Sequence, residues 1–105
     1  MKMIRAVIRP EREPDVIAKL TAAGLPAFTK LDVLGRGRQK GVQVGNTVYD
    51  ELSKTMLMIV VEDTQAAAAI DAIRAGAVTG NPGDGKIVVT PVDSVVTIRT
   101  GKSEL

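Results

Sequence analysis

The chain of 105 residues contains no cysteine, no histidine and no tryptophan, and its aromatic residues are Phe28 and Tyr49 alone. Each absence narrows the chemistry. Without cysteine there are no disulfide staples, thiolate metal sites or redox thiols, which fits a reducing compartment. Without histidine the chain lacks the commonest general base and the commonest zinc ligand. Ser53, Ser94 and Ser103 have no imidazole to activate them, and no pair of carboxylates is marked by its spacing as acid and base. The chain reads as a binder, not an enzyme. With two aromatics, stacking of nucleic-acid bases is poorly supported. No apolar run is long enough to span a bilayer and the first residues carry no secretory apolar stretch, so the expectation is cytoplasmic, with no membrane insertion.

What is present describes one small globular domain over 1–105, with 45% hydrophobic and 25% charged residues. The net charge is only +2, although a pI near 9.2 keeps a basic RNA-binding module as an alternative.

"MKMIRAVIRP" alternates as a first strand, with Ile4, Ala6 and Ile8 on one face and Met3, Arg5 and Val7 on the other. "EREPDVIAKLTAAG" carries helix signals, with Pro14 in the first turn, a stripe of Val16, Ile17, Leu20 and Ala23, and Gly24 as the stop. "FTKLDVLG" reads as the second strand. "TMLMIVVE" at 55–62 is a nearly unbroken apolar run, the pattern of a strand covered on both faces. Asp63 is placed to cap the alanine-rich helix that follows, with Ile70 and Ile73 inward. "KIVVTPV" and "SVVTIRT" close the chain as strands.

The order predicts an α+β, ferredoxin-like βαββαβ sandwich with a short C-terminal strand. Two helices cover one face of such a sheet, yet "MLMIVV" is apolar on both. A second copy of the sheet is the simplest cover; a modest exposed apolar face is the alternative. Residues 36–53 form a long connection between the second and third strands, with glycines, charges and an isolated Tyr49. Connections of that length are usually functional.

Two glycine-rich stretches hold the candidate chemistry. "GRGRQKG" at 35–41 ends the second strand. "TGNPGDGKIVV" at 79–89 almost matches a phosphate-binding P-loop through Gly80, Gly85 and Lys86. Ile87 stands where a Mg²⁺-binding hydroxyl is needed, and the stretch runs from helix into strand, so it is not one. A backbone nest at Gly83 and Gly85 beside Lys86 remains open, as does a plain tight turn.

Taken together, "GRGRQKG", "TGNPGDGKI" and the terminal "IRTG" resemble the signature set of the PII nitrogen-regulatory signal-transduction proteins, over essentially the whole chain. The resemblance implies a homotrimer with nucleotide clefts between subunits. Thr29, Gly35, Gly37 and Val60 would line the adenine and ribose side for ATP or ADP. Gly83, Asp84, Gly85 and Lys86 would hold phosphates, with Arg38 and Arg99 adding charge. Gln39 would supply a ligand to Mg²⁺, which 2-oxoglutarate completes beside Lys40, Gly41 and Lys54.

The connection is shorter than in the glutamine-regulation branch. "LSK" at 52–54 replaces Leu-Pro-Lys, and Thr97 stands where many members carry arginine. Tyr49 is out of register with the tyrosine nucleotidylated in the family. The short connection, "YDEL" and "TIRTGKSEL" look more like the nitrogenase-associated (NifI-type) branch, first paralogue. That likeness implies a second paralogue as partner and dinitrogenase as target, inhibited directly until 2-oxoglutarate accumulates. The alternative within the family is control of an ammonium transporter or a nitrogen-assimilation enzyme.

Overall fold

The computed structural model describes residues 1–37, 42–44, 47–49 and 51–105. Six strands and two α-helices follow in the order β1 (Lys2–Ile8), α1 (Glu13–Ala22), β2 (Thr29–Gly35), β3 (Val42–Val44), β4 (Thr47–Tyr49), β5 (Leu52–Val61), α2 (Ala66–Ala77) and β6 (Gly85–Pro91). Four of them form one antiparallel sheet in the order β2-β5-β1-β6, while β3 and β4 pair separately. This is the expected ferredoxin-like α+β arrangement.

Alternation divides the sheet as the sequence predicts. Ile4, Ala6 and Ile8 of β1 and Leu57, Ile59 and Val61 of β5 are buried, packed with Val16 and Leu20 of α1 and Ala69, Ile73 and Ala77 of α2. Ile17 and Ile70 are only partly buried and Ala23 is exposed, so the helix stripes are narrower than expected. The opposite face carries Met3, Val7, Met56, Met58 and Val60, all partly buried, and Leu31, which is exposed.

Local chemistry explains the helix ends. α1 closes with Gly24 N–H donating to the Thr21 carbonyl (3.0 Å) and Leu25 N–H to the Leu20 carbonyl (2.9 Å), a Schellman cap that carries Leu25 onto the core. The start of α2 differs from expectation. A 3₁₀ turn over Asp63–Gln65 precedes it, and Gln65 Oε1 accepts the Glu62 amide (3.1 Å). Asp63 instead pairs with the Met1 ammonium (3.0 Å). Glu13 ties α1 to the sheet, accepting from Lys30 Nζ (2.6 Å) and from the buried Thr55 hydroxyl (3.4 Å).

Two further expectations change. The third long strand begins at Leu52 rather than 55, so Ser53 and Lys54 belong to the sheet, and the connection holds the β3–β4 pairing instead of being structureless. "SVVTIRT" is not a strand. Residues 95–104 form a small hairpin with one bridge, Val96 to Ser103, closed by Thr97 N–H on the Lys102 carbonyl (2.9 Å) and Gly101 N–H on the Thr97 carbonyl (2.7 Å). The segment pairs with itself rather than adding to the edge of the sheet at β6.

The helices cross at Gly76, where an added Cβ would stand 2.7 Å from Val16 Cα. Val16 N (2.8 Å) and Asp15 C (3.0 Å) are also backbone, so no flexible side chain can move aside. Gly76→Ala gains intrinsic helix propensity yet should still lower stability by about 1–2 kcal/mol through overpacking. Urea unfolding of the two proteins checks the sign.

Candidate functional site

The register brings three charged side chains to one end of the sheet. Ile8 of β1 pairs with Thr55 of β5 on one side and Gly85 of β6 on the other. Arg9 follows Ile8, Lys54 precedes Thr55, and Asp84 precedes Gly85, so the three occupy adjacent strand ends. Gly35 pairs with Leu52 at the same end, which places the foot of the 36–51 connection beside them.

These side chains grip the turn before β6. Arg9 Nε donates to Asp84 Oδ1 (3.2 Å), and its NH2 group donates to the Pro82 carbonyl (2.8 Å). Lys54 Nζ donates to the Gly83 carbonyl (2.6 Å). Asp84 Oδ2 accepts the amides of Thr79 (2.8 Å) and Gly80 (2.9 Å), and Oδ1 also accepts the Thr79 hydroxyl. Those bonds, chiefly from Thr79, hold the Asp84 carboxyl well below the usual carboxylate range. Burial lowers the Lys54 pKa, and the nearby Arg9 charge lowers it further, although Glu11 and Asp84 oppose the shift. With Arg9 committed to Asp84, the partly desolvated Lys54 ammonium is the charge that favours an incoming anion.

Gly85 is fixed by contact. Its φ is +107°, and an added Cβ would lie 1.7 Å from the Val7 carbonyl oxygen. No other residue lets β6 approach β1 there. A cavity of about 310 Å³ opens between the turn and α2; Asp84, Lys86 and Arg74 are its charged lining, and the rest is mostly apolar, with Ile8, Ile73 and Ile87. Donors, missing side-chain bulk and positive charge together suit phosphate or carboxylate groups.

Six of the residues proposed from sequence thus gather at one end, Gly35, Lys54, Gly83, Asp84, Gly85 and Lys86, and Gly37 follows just beyond β2. Three do not join them within one chain. Thr29 pairs with Met58, and Val60 with Met3, toward the other end of the sheet. Arg99 lies in the hairpin beyond Val92, whose amide donates to the Met1 carbonyl (3.1 Å). From Met3 to Ile8 is about 17 Å at the usual strand rise. Arg38, Gln39, Lys40 and Gly41 lie outside the described residues.

Sequence reasoning missed Arg9 and Thr79. Arg9 could have been found only from the register. Thr79 is signalled locally, as the hydroxyl five residues ahead of Asp84.

With this geometry set out, comparison supplies the family. The profile described as nitrogen regulatory protein P-II matches residues 1–102. The chain belongs to the P-II family. It is 54% identical over 100 residues to the "Nitrogen fixation nifHD region glnB-like protein 1" of Methanococcus maripaludis, covering 95% of each chain. It is 52% identical over 105 residues to the "Nitrogen fixation nifHD1 region GlnB-like protein 1" of Methanosarcina barkeri, covering all of both. The "Nitrogen regulatory protein P-II 2" of Methanothermobacter thermautotrophicus is 44% identical over 107 residues, covering 98% of this chain and 93% of its own. The P-II resemblance is borne out, and the names of the first two relatives accord with its nitrogenase-associated branch. P-II proteins are regulators by description. Among the described residues, no helix of this P-II chain is long and apolar enough to cross a membrane.

The depressed Asp84 pKa gives a pH signature. A carboxylate stabilised in the fold contributes above its unfolded pKa of about 3.9, and that contribution is lost as pH falls below it. The stability gap between wild type and Asp84→Asn in urea should be level above about pH 5 and shrink below about pH 4.

Proposed function

We propose that this P-II chain is a non-enzymatic nitrogen-status sensor that binds ATP or ADP and 2-oxoglutarate and regulates nitrogenase by direct contact through the connection 36–53. The observation that carries the reading is the convergence of Lys54, Arg9 and the Gly83–Lys86 turn at the foot of that connection. An anion bound there touches the Gly35–Leu52 pair from which the connection departs.

In this reading Gly83, Gly85 and Lys86 receive the nucleotide phosphates, with Arg38 adding charge. No trio of potential metal ligands stands among the described residues, and the Asp84 carboxylate is already engaged. Mg²⁺ would therefore be held chiefly by phosphate oxygens, as is usual for this ion, with Gln39 from the protein. The metal would neutralise phosphate charge and offer remaining positions to 2-oxoglutarate. Lys54 would pair a carboxylate of that molecule, exchanging the Gly83 carbonyl for it, beside Lys40 and Gly41.

The separation of Thr29, Val60 and Arg99 from the turn supports a site completed by a neighbouring subunit. The uncovered apolar face with Met3, Met56 and Met58 supports the homotrimer. A second paralogue as partner and dinitrogenase as target accord with the nitrogen-fixation names of the relatives. The absence of cysteine accords with the cytoplasm. One domain spans 1–105, with 36–53 as its ligand-responsive part.

Regulation then follows from linkage. 2-Oxoglutarate can release the target only by its differential affinity for two states of the connection, commonly worth about 1–3 kcal/mol. The target must weaken 2-oxoglutarate binding by the same factor.

Calorimetry tests the reading. 2-Oxoglutarate should produce heat with Mg·ATP present and none when either nucleotide or metal is omitted. Silence in the complete mixture would sink the sensor, and salt-sensitive RNA binding instead would favour the RNA alternative. Lys86→Ala should cost about 1.5–3 kcal/mol in ATP binding. Because the anion selects charged Lys54, 2-oxoglutarate affinity should decline at alkaline pH earlier than an ordinary lysine would dictate.

A further inference from the structure

The turn that would receive phosphate is held in shape by side chains. Asp84 reaches back across the turn, and each of its oxygens accepts two hydrogen bonds: Oδ2 from the Thr79 and Gly80 amides, Oδ1 from the Thr79 hydroxyl and Arg9 Nε. That fills the roughly four lone-pair sites of a carboxylate. Nothing is left over for a metal ion, and the negative charge is matched at once by the guanidinium.

Thr79 does two things with one hydroxyl. It gives its proton to Asp84 and accepts the Asn81 amide (3.2 Å). Arg9 spans three successive residues. It bonds the Pro82 carbonyl and the Asp84 carboxylate, and between them its NH2 group lies 3.2 Å from where a Gly83 Cβ would stand. Both ends of the turn are thus tied to one carboxylate, and the carboxylate is tied to the end of β1.

Such ties matter because Gly80, Gly83 and Gly85 all have positive φ, from 88° to 107°. Glycine loses more freedom on ordering than any other residue. A turn of this composition left to itself would be ordered only at the expense of ligand affinity.

We propose that Thr79, Arg9 and the Asp84 carboxylate form a clasp that positions the 79–85 turn for phosphate, and that the Asp84 side chain contacts neither nucleotide nor metal. This rests on the nucleotide reading above. The backbone of Asp84 can still face a phosphate; its carboxylate works inward. Thr79 and Arg9 are positioning residues, acting through the turn.

The rival assignment makes the Asp84 carboxylate a direct ligand, and the two differ in how substitutions combine. In a clasp, Thr79→Val and Asp84→Asn break the same device, so the double variant is no worse than the more severe single one. For a direct ligand, Thr79→Val is nearly silent and Asp84→Asn severe.

The experiment is calorimetric titration of the full chain with ADP, and with adenosine by competition. Thr79→Val should weaken ADP about tenfold, and Thr79→Ser, which keeps the hydroxyl, should restore binding to within about twofold. Adenosine affinity should not move, since it has no phosphate for the turn to hold. A general loss of folding would weaken both ligands and would not be rescued by serine. Arg9→Lys, which keeps the charge but loses the fork, should fall between wild type and Thr79→Val.

Thr79→Val binding ADP as wild type does, or a double variant additive over both singles, would overturn the clasp alone. So would equal losses for adenosine and ADP. Wild-type protein that binds adenosine nucleotides not at all would overturn the nucleotide reading, and the clasp's purpose with it.

Discussion

At the start of β6 the Cα of Gly85 lies against the Val7 carbonyl, in a space where a β-carbon would stand 1.7 Å from the oxygen. That approach lets β6 pair with β1 from its first residue, with Gly85 opposite Ile8. The pairing sets Asp84 beside Arg9, and the β1–β5 register sets Lys54 on the other side. The charge pattern of the site, the grip on the 79–85 turn and the place of the connection all follow from this alignment.

The charges at this end are unequal in their commitments. Arg9 and Asp84 neutralise each other inside the turn, and the Thr79 hydrogen bonds deepen the stabilisation of the carboxylate. Among the described residues Lys54 has the Gly83 carbonyl as its hydrogen-bond partner, and it is partly desolvated. An ammonium in that condition gains more from a carboxylate or phosphate than from the Gly83 oxygen it holds. The same residue sits in β5 two positions after Leu52, where the connection ends. The Lys54 ammonium and the foot of the connection are thus close together on one strand.

The opposite end of the sheet is organised differently. Val60 stands near it and β6 leaves there toward the 95–104 hairpin, while Thr29 lies midway, level with Arg5. Between the two ends lies the sheet face that no described helix covers, with the partly buried Met3, Met56, Met58 and Val60. A second copy laid on that face would bury Met3, Met56 and Met58 and could bring one chain's turn to another's far end. One chain alone leaves the two halves apart.

Much of this was legible in the residues. Period-two alternation in "MIRAVI" and the apolar run "MLMIVV" locate the central strands, because burial on a pleated sheet leaves a direct signature. Pro14, Gly24 and the alanine run mark the helices. The joint order of "GRGRQKG", "TGNPGDGK" and "IRTG" identified the family. Other features were not legible, for physical reasons. Asp63 has the chemistry of a cap but is drawn to the Met1 ammonium, while Gln65 serves the Glu62 amide. "SVVTIRT" has strand composition but pairs within its own hairpin rather than with the sheet. Thr79, Asp84 and Arg9 appear in the sequence as a hydroxyl, an acid and a base separated by up to 75 positions. Sequence by itself determined the two helices and the four strands of the main sheet, which faces are apolar, and that two glycine-rich stretches bear charge. Only the tertiary structure decided that Arg9 and Lys54 grip one of those stretches and that Asp84 turns inward, because hydrogen bonds between distant residues depend on strand register, which local pattern does not encode.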